Sequence, residues 1–240
     1  MAANAREIWT APVRRRLFLM RHGDVDYFDA NGRPLRPESV SLNADGRRQA
    51  EAAARELVAV PLDAVLTSGL PRSDQTAECV VAGRDLSIQR RPELREIETG
   101  KLAQLEGASP AETAKWFLGS LDEEITHETR FLGGESFGEL RRRVGACLQT
   151  ILADGAWRHL LVVAHGVVNR VLLAHFLGAE LRAAARLEQD PACINLIDVD
   201  AEARFLVRLI NHTPLNPLKA GETHSTMERL YLQYLRGRRH

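Results

Sequence analysis

A three-layer α/β/α sandwich, built on a mostly parallel central sheet and carrying a small cap insertion, is the α/β fold class that the sequence predicts. Three observations lead there. Apolar runs of strand length alternate with stretches of helical period, the pattern of a parallel sheet covered on both faces through right-handed crossovers. Two of the runs lead into a histidine followed by glycine, His22-Gly23 and His165-Gly166, at the strand ends where open α/β sheets hold their ligands. The 240 residues, 45% hydrophobic and 27% charged, suffice for one domain with a sizeable core. Residues 1–240 are therefore read as one domain, with 1–14 a loose leader and roughly 101–133 a cap-like insertion.

The elements follow in order. Leu17-Phe18-Leu19-Met20 reads as a buried strand. From Ala44 the apolar positions Ala50, Ala53, Ala54, Leu57 and Val58 recur at helical intervals, with Asn43 available as N-cap and Pro61 as the stop. Asp63–Thr67 reads as a second strand and Arg72–Val81 as a helix. A further extended segment precedes Glu96. Residues 101–133 mix a helix near Ala111–Leu118 with the acidic run Asp122-Glu123-Glu124 and read as an excursion from the sheet. Glu135–Leu152 is an amphipathic helix, Leu160–Ala164 a strand and Val167–Leu177 a helix. Two β-rich runs, Ile194–Val199 and Phe205–Ile210, suggest an antiparallel portion at one side.

Composition excludes several classes. With 32 Lys+Arg against 32 Asp+Glu the formal net charge is zero, whereas a nucleic-acid coater or polybasic membrane protein needs a cationic excess. The basic tail Arg236–His240 is short and reads as a solvated terminus. No apolar run approaches the ~20 residues that span a bilayer. Arg14-Arg15-Arg16 resembles a twin-arginine signal only superficially, because no long apolar region follows. Cys79, Cys147 and Cys193 are odd in number and widely spaced, so a reducing cytoplasm is the simplest compartment. Composition points to neither nucleic acid nor membrane as partner; a homodimer stays open, because nothing in the sequence reads out the oligomeric state.

Any anion site must then be a local cluster, and the strand ends supply one. Arg21 and His22 follow the first strand, Arg72 follows the second at the start of a helix, and His165 follows the strand Leu160–Ala164. Guanidinium forks match phosphate oxygens, and a cation in a helix's first turn is unfavourable unless it meets an anion. For an acid, Glu96 is best placed, with Asp24, Glu98 and Glu106 as rivals. A zinc site on His22 and His165 lacks any supporting ligand spacing.

These residues resemble the histidine phosphatase superfamily, the phosphoglycerate-mutase-like proteins. Arg21-His22-Gly23 is similar to its signature after the first strand. Gly32-Arg33 with Leu42–Ala50, Thr67–Ala77 with its Arg72, Leu94–Gly100 followed by Glu106-Gly107, Gly134-Glu135-Ser136, and Val163–Gly166 resemble the later elements in order. The resemblance implies a phosphoglycerate-mutase-like fold and His22 as a nucleophile phosphorylated in a covalent intermediate. It implies a phosphate pocket of Arg21, Arg72, His22 and His165, and Glu96 as proton donor to the leaving alcohol. It implies no cofactor and no metal, because arginines and histidine supply the charge stabilisation.

Two departures modify the expectation. The family's phosphate-contacting Asn after Arg-His-Gly is absent; Phe28 or Asp29 takes its slot, with Asn31 nearby. The long basic and proline-rich inserts of cofactor-dependent mutases have no counterpart, which favours a hydrolase. The expectation is a metal-independent phosphomonoester hydrolase of the acid-phosphatase type acting on a small phosphorylated metabolite. A phosphoglycerate mutase or phosphotransferase, and a catalytically weak phospho-ligand-binding protein, are the alternatives. Tyr27, Phe28, Trp116 and Phe117 are candidates for an apolar leaving-group pocket or for ordinary packing. A sharply positive cleft is expected, with Asp122, Glu123 and Glu124 elsewhere or on its rim.

Overall fold

The computed structural model describes residues 14–29, 33–100, 108–121 and 125–237. Its centre is a six-stranded sheet made of β1 (Arg15–Arg21), β2 (Ala64–Thr67), β3 (Ile88–Arg90), β4 (His159–Ala164), β5 (Ile194–Val199) and β6 (Phe205–His212). The strands lie in the order β3-β2-β4-β1-β5-β6. β3, β2, β4 and β1 are mutually parallel, and β5 runs antiparallel to both β1 and β6. The expected mostly parallel sheet with an antiparallel side is therefore present.

Strand alternation sorts the core onto two faces. Leu17 and Leu19 join Leu160, Val162 and Ala164 in one apolar cluster, closed by helices α4 (Phe137–Ala153) and α5 (Gly166–Phe176). Phe18 and Met20 join Val65, Leu161 and Val163 in another, closed by α1 (Ala44–Glu56) and α2 (Pro71–Val81). Each fully buried Leu, Val or Phe contributes roughly 1.5–3 kcal/mol, so the two faces together hold the sandwich. α5 is buried nearly all round, His175 excepted, as a helix between a sheet and further layers must be.

Local chemistry sets the boundaries. Asn43 caps α1 through its Oδ1, which accepts from Gly46 N–H at 2.8 Å. The helix ends at Glu56, short of the apolar pattern, because Leu57 turns into the core while Val58 is 74% exposed. α4 starts at Phe137, later than Glu135, because a reciprocal Ser136–Glu139 capping box fixes its N-terminus. That leaves the Glu135 carboxylate free to bind Arg143 at 2.7 Å.

Between β3 and α4 the chain makes the expected excursion, with α3 (Pro110–Leu118) started by a Ser109–Glu112 capping box. A C-terminal helix, α6 (Thr226–Gly237), is an element absent from the sequence-based expectation. The tail read as a solvated terminus is helical as far as Gly237, and residues 238–240 lie outside the described residues. Tyr231 and Tyr234 of α6 pack on Phe117 of α3, with ring centroids 5.6 and 5.1 Å apart. Residues 1–13 of the expected leader, and Asp122–Glu124, also lie outside the described residues.

Candidate active site

β2, β4 and β1 are adjacent and parallel, so their carboxyl ends lie side by side. Residues from all three ends meet there: Arg21 and His22 from β1, Ser68 and Arg72 from the turn after β2, and His165 from the end of β4. A close backbone approach holds the His22 loop. A Cβ on Gly23 would come within 2.4 Å of the Gly46 carbonyl oxygen, and one on Gly46 within 2.1 Å of that of Asp24.

His22 is buried, and its ring hydrogen bonds admit one tautomer. Nδ1 lies 2.7 Å from the Gly23 carbonyl, which only accepts; Nε2 receives the Arg72 Nε–H at 3.2 Å, a group that only donates. The proton is therefore on Nδ1 and the lone pair on Nε2. Burial, then Arg72 and Arg21, hold this imidazole well below its ordinary pKa, outweighing the Gly23 carbonyl. The ring is neutral.

His165 lies against it, ring centroids 5.1 Å apart. A hydroxyl chain settles its tautomer too. Ser73 Oγ donates to the Leu70 carbonyl, Ser68 Oγ donates to Ser73 Oγ, and Ser68 Oγ accepts from His165 Nε2 at 2.8 Å. His165 Nδ1 is thus unprotonated, and it is buried without a partner. Burial, then Arg72, His22 and Arg21, press this pKa well down.

Arg72 is 1% exposed in the first turn of α2 behind Pro71. It spans His22 Nε2 and the Pro37 carbonyl. Arg21 points Nη1 at the Gln189 carbonyl (2.6 Å) and Thr226 Oγ1 (3.1 Å), while its Nε is buried without a partner. An unpaired buried donor or acceptor costs about 1–3 kcal/mol. Arg21 Nε carries that cost as a donor that an anionic ligand would satisfy, and His165 Nδ1 as an acceptor that needs a proton.

Glu96 completes the cluster in an unexpected way. Its carboxylate accepts from the Ile97, Val167 and Val168 N–H groups at 3.0–3.3 Å, so the α5 N-terminus, whose free N–H groups would otherwise suit an anion, is taken by this side chain. An ideal Cβ on Gly166 would lie 3.7 Å from Glu96 Oε2 and 3.5 Å from Arg21 Nε, which brings the carboxylate to the arginine's side of the site. Of its rivals, Asp24 lines the cavity with its carboxylate on Asn43 Nδ2 at 3.0 Å. Glu98 is exposed, and Glu106 lies outside the described residues.

Arg21, Arg72 and Glu96 of the cluster line a cavity of about 800 Å³, while His22 and His165 are buried and do not line it. Tyr27, Phe28, Trp116 and Phe117 all line it, as do Asp24, Glu38 and Glu98 alongside Arg95, Arg143 and Arg229. Only its floor is the cationic cleft expected; the walls mix apolar groups with both signs of charge. Phe28 takes the wall position, whereas Asp29 accepts from the Arg33 N–H; Asn31 lies outside the described residues. Ser68 and Thr226 bond directly to His165 and Arg21 and had not been singled out as site residues. Among the described residues, no group of three His, Cys, Asp or Glu stands close enough to hold a metal ion, and no helix is long and apolar enough to cross a membrane.

Comparison with known proteins adds relatives. Residues 17–212 match the family model of the histidine phosphatase superfamily (branch 1). The chain is 32% identical over 184 residues to a probable phosphoglycerate mutase GpmB of Proteus mirabilis, across 76% of this chain and 84% of that protein. Its fold is similar to the crystal structure of a putative alpha-ribazole-5'-P phosphatase of Escherichia coli, with a TM-score of 0.68 and 27% identity over 82% of this chain and 96% of that one. A mycobacterial glucosyl-3-phosphoglycerate phosphatase shares the fold at a TM-score of 0.67 and 24% identity, over 83% and 99% of the two chains.

Proposed function

The chain belongs to the histidine phosphatase superfamily, and from that premise we propose that it is a metal-independent phosphomonoester hydrolase working through a phosphohistidine at His22. The observation that carries this is the state of His22: a neutral ring with its lone pair on Nε2, facing the guanidinium that would bind the phosphoryl group. A neutral imidazole is nucleophilic, and cations around it offset its repulsion from an anionic ester.

In the first step Nε2 attacks phosphorus and the bond to the ester oxygen breaks, its electron pair leaving with the alcohol oxygen. Glu96, in its protonated form, delivers the proton to that oxygen. Arg72 turns its Nε–H from Nε2 to a phosphoryl oxygen, Arg21 offers its unpaired Nε, and His165 donates from Nδ1 once protonated. Water then attacks phosphorus, Glu96 takes the water's proton, and the N–P electrons return to Nε2.

His165 makes the enzyme one of acid type. Nδ1 bears no proton when Nε2 donates to Ser68, so a phosphate dianion would meet a lone pair. A substrate monoanion brings the missing proton with it. The second ionisation of a phosphomonoester lies near pH ~6, and kcat/KM falls as pH rises through that value.

A mutase is the second reading, because relatives at 32% identity carry that name. One assay separates the alternatives: inorganic phosphate release from an aryl phosphate, against isomerisation of a phosphoglycerate, with His22→Ala beside the wild type. Phosphate release abolished by His22→Ala is expected. Isomerisation without net hydrolysis would establish the mutase, and equal rates in the variant would exclude the histidine mechanism. The reducing cytoplasm is proposed from three free cysteines, two of them buried.

A further inference from the structure

α6 lies beyond residues 17–212, the segment that carries the family match, yet it forms part of the cavity wall. Thr226, Met227, Leu230 and Gln233 all line the space above Arg21 and Arg72.

The helix is registered to the phosphate site at one end and to the cap at the other. Thr226 Oγ1 accepts from Arg21 Nη1 at 3.1 Å and donates to Glu188 Oε1 at 2.9 Å, the direction that a carboxylate acceptor requires. Glu188 is in turn bound by Arg170 at 2.6 Å. At the other end Tyr234 packs on Phe117 and on Phe28. The stretch between these anchors presents Met227, Leu230 and Gln233 to the cavity at a fixed height above the phosphate-binding floor.

The chemistry of that stretch constrains the ligand. About 800 Å³ is far more than a phosphate fills and is the size of pockets that enclose ring-sized ligands. Three arginines of the wall are already paired, Arg143 with Glu135, Arg170 with Glu188 and Arg229 with Asp190. The fourth, Arg95, is exposed and shares the wall with the carboxylates of Asp24, Glu38 and Glu98, so a second anionic group such as a glycerate carboxylate meets one solvent-screened cation among like charges. Gln233 Oε1 is buried and has no hydrogen-bond partner among the described residues. A carbonyl oxygen only accepts, so its missing partner is a donor.

We propose that α6 is the leaving-group recognition element and that the substrate is the phosphate ester of a bulky, largely apolar ring-bearing alcohol with an O–H or N–H donor for Gln233. The chemistry assigned to the ester rests on the phosphatase reading above; the binding role of α6 does not.

Binding of non-hydrolysable ligands tests it without turnover. Naphthylmethylphosphonate, its hydroxynaphthyl isomers, the phosphonate isostere of 3-phosphoglycerate and inorganic phosphate are titrated calorimetrically into the full chain. Wild type is expected to prefer naphthylmethylphosphonate to inorganic phosphate by at least tenfold. Leu230→Asn should erase most of that preference, with Leu230→Ala as the milder variant if the first does not fold. Gln233→Leu should remove the advantage of whichever hydroxyl isomer binds best. Leu218→Ala, a 90% exposed position outside the cavity, should leave the preference as it is. An undiminished preference in a folded Leu230 variant, or the phosphoglycerate isostere bound more tightly than the aryl ligand, overturns the proposal. Aryl preference without phosphate release from naphthyl phosphate would keep α6 in this role while refuting the hydrolase.

Discussion

Glu96 sits where two demands meet, holding the first N–H groups of α5 and lining the cavity beside Arg21 and Arg72. If it is the acid, its replacement should matter most for poor leaving groups. Glu96→Gln keeps the shape and removes the proton. The expected outcome is a loss of about 10²- to 10⁴-fold in kcat for an alkyl phosphate, but much less for p-nitrophenyl phosphate, whose anion leaves unaided. Equal losses for the two esters would move the acid role elsewhere, with Asp24 next in line. At this scale the sequence made Arg21, His22, Arg72 and His165 readable, because each follows a strand within a few residues. Ser68 and Thr226 were not readable, since their importance comes from hydrogen bonds that exist only after folding. Ser73, Ser68 and His165 also form one proton-ordering chain, which no local pattern encodes.

Among the elements, the α1 N-terminus is packed backbone to backbone against the His22 loop. Gly46→Ala would drive a methyl group to within 2.1 Å of the Asp24 carbonyl oxygen, and backbone must move to admit it. We expect a loss of about 1–3 kcal/mol in urea-unfolding free energy, together with lower kcat, because the displaced loop carries His22. A variant as stable and active as wild type would show that this contact is slack. Helix and strand identities followed from apolar period, and their ends were set by side chains that period does not register, such as Ser136 and Leu57. α6 had a legible signal that went unused: Ser225 and Glu228 form a capping pair, and Met227, Leu230, Tyr231 and Tyr234 recur at helical spacing. The preceding turn-rich stretch and the basic end masked it.

For the molecule as a whole, the buried histidines link stability to pH. His22 and His165 both have folded pKa values well below that of the unfolded chain, near 6.5. Above that value neither state binds the proton and the pair contributes nothing to the pH dependence. As pH falls below about 6.5 the unfolded chain takes up protons that the folded site refuses, and stability drops by up to about 1.4 kcal/mol per pH unit for each ring. The urea midpoint should therefore decline from pH 7 to pH 5, and less steeply in His165→Asn. A variant that declines as steeply as wild type would contradict this account. Asp190, lowered to about 2 because its bonds to Arg229, Lys219 and Asn211 outweigh burial, belongs to a more acidic window and does not confound it. The order β3-β2-β4-β1-β5-β6 also bears on how the protein is made. β1 comes first among the described strands, yet its two neighbours are β4 and β5, encoded beyond residue 158. The strand that leads into His22 therefore waits unpaired until both have been made, and such long-range closures are the slow kind. A nascent or truncated chain lacking β4 also lacks His165, so the cluster around His22 cannot assemble before that strand exists.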